Sequence, residues 1–183
     1  MEYPELTEKG IGSEKVFEGR LLHVYRDTVS LPNESTSTRE YIRHNGAACV
    51  VPITDDGCVL MVRQYRYPVG QALLEIPAGK LDSKNEDPFD AARRELKEET
   101  GAEAAEWICL GDFYPTPAYT DENIVMFVAK GLTFGENCLD DDEFLAVERV
   151  PLDTLVEDIL AGRIPDAKTQ AAVLRAYLMM KQS

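Results

Sequence analysis

The sequence has no run of 18 or more apolar residues, and so no helix able to span a bilayer, which takes about 20. It also lacks a basic start followed by an apolar stretch. The opening MEYPELTEKG is polar and acidic, which argues against a secretory signal peptide. Repeats and low-complexity tracts are absent. The four cysteines (Cys49, Cys58, Cys109 and Cys138) form no C-x-x-C pair, and the first three sit inside apolar runs, where cysteine acts as a small buried hydrophobe. A reduced, cytoplasmic protein is expected. Basic residues are scarce, with 19 Lys and Arg against 33 Asp and Glu, for a net charge of −14. That balance repels nucleic acid and anionic membranes at long range, so neither is expected as a partner. An anionic small molecule stays open as a ligand, provided local arginines or bound metal ions reverse the field in one cleft.

What the chain does have is enough apolar content, 44% of 183 residues, for a proper core in one domain with a small N-terminal appendage. Residues 15–44 read as strands and turns, with LPNESTS as a polar turn between two runs. This suggests a small antiparallel sheet over residues 1–44, ahead of a main domain over 45–183. AACVVPI and CVLMVRQY, joined by Asp55-Asp56-Gly57, read as a hairpin. ALLEIPAG is a short strand. Asp87, Pro88 and Gly101 bracket a helix as cap, first-turn proline and terminal glycine, with Phe89, Ala92 and Leu96 as its buried face. EWICLGDFY, NIVMFVAKG and FLAVERV are further strands. Two closing helices follow, with Leu155, Val156, Ile159 and Leu160 sharing a face in the first, and Val173, Leu174, Tyr177 and Leu178 in the second. The order of elements points to a mixed α/β sandwich.

The helix RRELKEET carries an unusual charge pattern. Glu95, Glu98 and Glu99 stand at i, i+3 and i+4, so Glu95 shares a face with both others. Like charges at these spacings destabilise an isolated helix by a few tenths of a kcal/mol per pair. A solvated face interleaved with Arg93, Arg94 and Lys97 would account for the pattern. So would a hard divalent cation such as Mg²⁺ or Mn²⁺, bound by the carboxylates together with substrate phosphates. Arg94 could then orient a carboxylate by pairing with it.

The same segment resembles the Nudix signature, G-x5-E-x7-R-E-U-x-E-E-x-G-U with U apolar. Glu86 is followed after seven residues by Arg94-Glu95-Leu96-Lys97-Glu98-Glu99-Thr100-Gly101-Ala102, which fills every fixed position from Glu86 onward. One departure exists: six residues separate Gly79 from Glu86 where the pattern has five. The extra residue falls in the polar loop LDSKN, where insertions are tolerated. The resemblance implies a Nudix α/β/α sandwich preceded by the N-terminal antiparallel sheet. It also implies metal ligation by Glu95, Glu98, Glu99 and the backbone carbonyl of Ala78, with Glu86 orienting the loop or touching metal through water rather than acting as the base.

Other segments are similar to the ADP-ribose pyrophosphatase subfamily. QYRYPVG followed by LLEIPAGKLD makes Arg66 the arginine that meets substrate phosphates, a task suited to its planar, permanently charged fork. TREYIRHNG makes Arg39 a second such arginine, from a sheet that this subfamily exchanges across a homodimer. In FYPTPAYTDENI, Pro117 lies sixteen positions after Gly101, the subfamily's mark for ADP-ribose, and Glu122 matches an acid that contacts the sugar. Glu143, before F-x-x-V, falls where the subfamily supplies a general base; neighbouring Asp140–Asp142 carboxylates would raise one another's pKa. Plainer readings stand beside each: surface arginines at strand edges, prolines shaping a turn, an ordinary acidic turn. The resemblance implies Mg²⁺-dependent hydrolysis of ADP-ribose to AMP and ribose 5-phosphate. Hydrolysis of another nucleotide, or a sensor domain that binds ADP-ribose without cleaving it, are the alternatives.

Overall fold

A computed structural model of the chain describes residues 3–135 and 144–182. Glu143, with Asp140–Asp142 and Cys138, lies outside the described residues. The chain divides into two compact units: Met1–His44 with Thr116–Glu122, and Asn45–Pro115 with Asn123–Ser183.

In the first unit, β1 (Lys9–Glu18), β2 (His23–Ser30) and β3 (Thr36–Arg43) form an antiparallel meander in that order. Leu22 lies in the connection between β1 and β2. Every position of β1 is exposed, and among this unit's described residues Val29 is the one buried hydrophobe. The 116–122 segment closes against the far edge: Ile42 N–H donates to the Tyr119 carbonyl at 2.9 Å, and Asp121 N–H donates back to the Ile42 carbonyl at 3.2 Å.

The second unit is a sandwich. One sheet contains β4 (Ala47–Pro52), β7 (Ala78–Lys80), β8 (Ala102–Phe113) and β9 (Ile124–Phe134) in the order β7-β4-β9-β8. The other contains β5 (Cys58–Arg66), β6 (Gln71–Glu75) and β10 (Leu145–Pro151) in the order β10-β5-β6. β4 and β9 run parallel, and β4 is buried along its whole length, as its unbroken apolar run requires for a central strand. Its side chains alternate between two cores. Ala48 and Val50 join Leu60, Ala91, Ala92 and Leu96 beneath α1 (Pro88–Thr100). Ala47, Cys49 and Val51 join the core that holds Leu155, Ile159, Val173 and Ala176 of α2 (Leu152–Leu160) and α3 (Ala167–Lys181). Fully burying a side chain such as Leu96 contributes about 1.5–3 kcal/mol.

Three expectations change. The AACVVPI and CVLMVRQY runs do make a turn, with Gly57 N–H donating to the Thr54 carbonyl at 2.9 Å. Beyond the single Ile53–Val59 bridge, however, they separate into different sheets, so the segment is a corner and not a hairpin. In the closing helices, Leu160 and Leu178 are 76% and 58% exposed; the buried stripe of α3 is Thr169, Ala172, Val173 and Ala176. With that stripe facing the core, Leu178 lies about 200° around the helix from Ala176 and points outward. Finally, Cys49 is buried, but Cys109 is exposed, because it lies on edge strand β8 beside a bulge at Gly111 that breaks the alternation.

Candidate active site

The helix α1 forms for the reasons its sequence suggests. The Asp87 carboxylate accepts from Phe89 N–H at 2.9 Å, a cap that contributes about 1 kcal/mol. Pro88 opens the first turn, and Gly101, at φ 68°, ends the helix in a left-handed conformation that few other residues adopt cheaply. With Ala92 and Leu96 turned into the core, Glu95 and Glu99 are carried to the face beside β7. Both are nearly buried, at 9% and 4% exposure.

Here the strand backbone and the carboxylates fit closely. Glu99 Oε2 accepts from Ala78 N–H at 3.2 Å. The Glu95 carboxylate fills the space where any Cβ on Gly79 would stand. A side chain at position 79 would therefore have to displace the Glu95 carboxylate or the strand, whereas the backbone conformation there is open to any residue.

The like charges on α1 are offset by Arg94. Its Nη1 donates to Glu95 Oε1 at 2.7 Å and to Glu98 Oε2 at 3.2 Å. Its Nη2 donates to the Lys80 carbonyl at 3.3 Å and to Glu86 Oε1 at 3.4 Å. Burial would lower the pKa of this guanidinium, but the charge and hydrogen bond of Glu95, with Glu86 and Glu98, outweigh burial and raise it. The loop with one extra residue is held by the same group: Glu86 Oε2 accepts from Asp82 N–H at 2.5 Å while its other oxygen meets Arg94. Glu86 thus ties the loop to the helix.

Among the described residues, no three acidic, histidine or cysteine side chains converge tightly enough to cage an ion. The reason is visible in the bonds above. The Arg94 guanidinium lies among Glu86, Glu95 and Glu98, and Glu99 is turned to the Ala78 amide. The donor chemistry nevertheless suits a divalent cation. Glu95, Glu98 and Glu99 are hard oxygen donors on adjoining turns, Glu98 is half exposed, and a glycine leaves Glu95 pressed against the strand.

Arg66, at the end of β5, belongs to a second cluster. Its Nε and Nη2 donate side-on to Glu75 Oε1 and Oε2, both at 2.8 Å. Lys168, in the first turn of α3, donates to Glu75 Oε2 and to Asp166 at 3.1 Å. Burial would raise the pKa of Glu75, but the Arg66 hydrogen bonds and the Lys168 charge hold it below the usual carboxylate range. The Glu75 hydrogen bonds in turn raise that of Arg66, with Asp166 and Glu99 adding to the same effect. Asp166 caps α3 by accepting from Thr169 N–H at 2.9 Å. Glu75 and Lys168 are the members that sequence reasoning passed over. The signal was a single acid within the apolar run LLEIP, a position that demands a buried counter-charge.

Arg39, Pro117 and Glu122 lie in the first unit. Arg39 is exposed on β3 and donates to both oxygens of Glu8, with Nε to Oε2 at 2.9 Å. Pro117 is exposed in the turn closed by Tyr119 N–H to the Thr116 carbonyl at 3.3 Å. Glu122 is half buried, with Oε1 3.7 Å from His44 Nδ1. The second unit brings together Ala78, Glu86, Arg94, Glu95, Glu98 and Glu99 around one helix face, with Arg66 held by Glu75.

Comparison with known proteins gives the family. The NUDIX domain model matches residues 43–175. The chain is 44% identical over 178 residues to a methanol dehydrogenase activator of Bacillus methanolicus, covering 96% of this chain and 95% of that protein. It is 39% identical over 180 residues to an ADP-ribose pyrophosphatase of Bacillus subtilis (strain 168), covering 97% and 96%. The crystal structure of an ADP compounds hydrolase superposes with a TM-score of 0.85 at 26% identity, covering 97% and 96%. With its helix carboxylates, its box glycine and a domain match over most of its length, this chain belongs to the Nudix family.

Proposed function

We propose that the chain is a Mg²⁺-dependent ADP-ribose pyrophosphatase, producing AMP and ribose 5-phosphate. The observation that carries this reading is the pair of nearly buried carboxylates, Glu95 and Glu99, set against the Ala78–Gly79 backbone. The activity of the Bacillus subtilis relative, alike along almost its whole length, supplies the substrate.

Glu95, Glu98, Glu99 and the Ala78 carbonyl would hold the cation. When bound, Mg²⁺ supplies Lewis-acid stabilisation of phosphate oxygens and acidifies a water. Arg94 holds Glu95 and Glu98 in position. Arg66 is assigned to the diphosphate, and Arg39, Pro117 and Glu122 to the substrate, on family resemblance. The base that takes the proton from water is assigned to Glu143 on family resemblance. Residues 1–44 are the dimerisation region in this reading, which the fully exposed β1 supports. Free Cys49, Cys58 and Cys109 accord with a reducing, cytoplasmic setting.

A panel of substrates tests the specificity. ADP-ribose is expected to give kcat/KM at least about tenfold above GDP-mannose, dinucleoside polyphosphates and NAD⁺. Preference for another compound would keep the chemistry and discard ADP-ribose. Tight binding of ADP-ribose with no cleavage of any compound would leave a sensor domain.

A further inference from the structure

Glu75 lies at the inner end of β6 with its side chain 2% exposed, and three donors converge on its two oxygens. Two come from Arg66 and the third from Lys168, so one buried carboxylate has two cationic partners. The partners are not equivalent. The Lys168 side chain is 12% exposed and is fixed a second time by Asp166, whereas the Arg66 side chain is 41% exposed. Spending Nε and Nη2 on Glu75 directs the Nη1 edge of Arg66 away from the carboxylate. A buried carboxylate needs a counter-charge to stay ionised, and Lys168 supplies one from the α3 side.

We infer that Lys168 is a positioning residue for substrate binding: by neutralising Glu75 from within, it leaves the Arg66 charge available to a phosphate oxygen. This rests on the reading that Arg66 meets the diphosphate. Without Lys168, Arg66 becomes the principal counter-charge of a buried carboxylate, and an incoming phosphate must compete for it. The loss falls on binding of the ground state and transition state alike, so KM rises while kcat holds.

Lys168→Met keeps the aliphatic stem and removes the charge. Steady-state kinetics on ADP-ribose at saturating Mg²⁺ are expected to show KM raised roughly tenfold, the size of one lost charge-assisted contact, with kcat within about twofold. Lys168→Arg restores most of the loss. In an Arg66→Ala background, itself raised in KM, Lys168→Met adds nothing further. An unchanged KM in Lys168→Met, with Arg66→Ala still raised, overturns the inference and leaves the Arg66 reading intact. Effects that multiply independently in the double variant also overturn it, since Lys168 would then act on substrate without Arg66. An Arg66→Ala variant with wild-type KM overturns both. Should Lys168→Met fail to fold, Glu75→Gln removes the charge that needs neutralising. The Glu75→Gln/Lys168→Met variant should then match Glu75→Gln alone in KM, and a further large rise would contradict the inference.

Discussion

Glu99→Gln is expected to lower the turnover number on ADP-ribose by at least about 100-fold, more than the loss of an outer partner of a metal ligand costs. The melting temperature should be nearly unchanged. The two halves of that expectation have separate causes. Glu99 is 4% exposed and makes a hydrogen bond, from Ala78 N–H to Oε2 at 3.2 Å, that an amide oxygen accepts equally well. Glutamine also has the same shape, so the core beside β7 is undisturbed. The lost property is negative charge, which a hard cation requires of its ligands. Kinetics and a thermal melt on the same preparation check both halves. A variant near the wild-type rate would remove Glu99 from the mechanism, and one that is inactive and unfolded would show a structural role instead.

The second large effect is expected at Gly79. Alanine there places its Cβ inside the Glu95 carboxylate. Either the strand shifts or Glu95 swings away, and overpacking of this kind costs about 1–3 kcal/mol. In a chain of this size the melting temperature should fall by about 2–12 °C. Activity should fall more than tenfold, a metal-site loss of the size seen when a ligand's support is removed. Displacing Glu95 also disturbs Arg94, which binds Glu95, Glu98 and Glu86 together. Glu95→Asp, one methylene shorter, makes room for the new methyl group. The Gly79→Ala/Glu95→Asp pair should therefore regain stability without regaining activity. Wild-type stability in Gly79→Ala alone would show that strand and carboxylate can part freely.

Much of this was legible in the sequence because local rules act on contiguous residues. The cap at Asp87, the proline at 88 and the glycine at 101 fix α1 on their own, and i, i+3, i+4 spacing puts the glutamates together. Other features depend on partners far along the chain. The corner at 54–58 looks like a hairpin because a turn and two apolar runs are all that the segment contains. What separates the runs is β9 pairing with β4, and β10 pairing with β5. Glu75 and Lys168 are 93 residues apart, and neither has a neighbour in sequence that signals the other. The outward turn of Leu178 follows from Ala172 and Ala176 packing against the sheet, which periodicity alone cannot rank above leucine. The two arginines expected to meet phosphate share a residue type but differ in setting: Arg66 is tied to a buried acid, Arg39 to the exposed Glu8.

The account rests on a divalent cation acting where the α1 carboxylates meet the β7 backbone. The most direct measurement is AMP release from ADP-ribose by the wild-type chain in Mg²⁺ and in excess EDTA. Rapid release with Mg²⁺, abolished by EDTA and restored by added Mg²⁺, is the result predicted. Equal release in both solutions would contradict the account, because the carboxylates on α1 would then have no cation to hold.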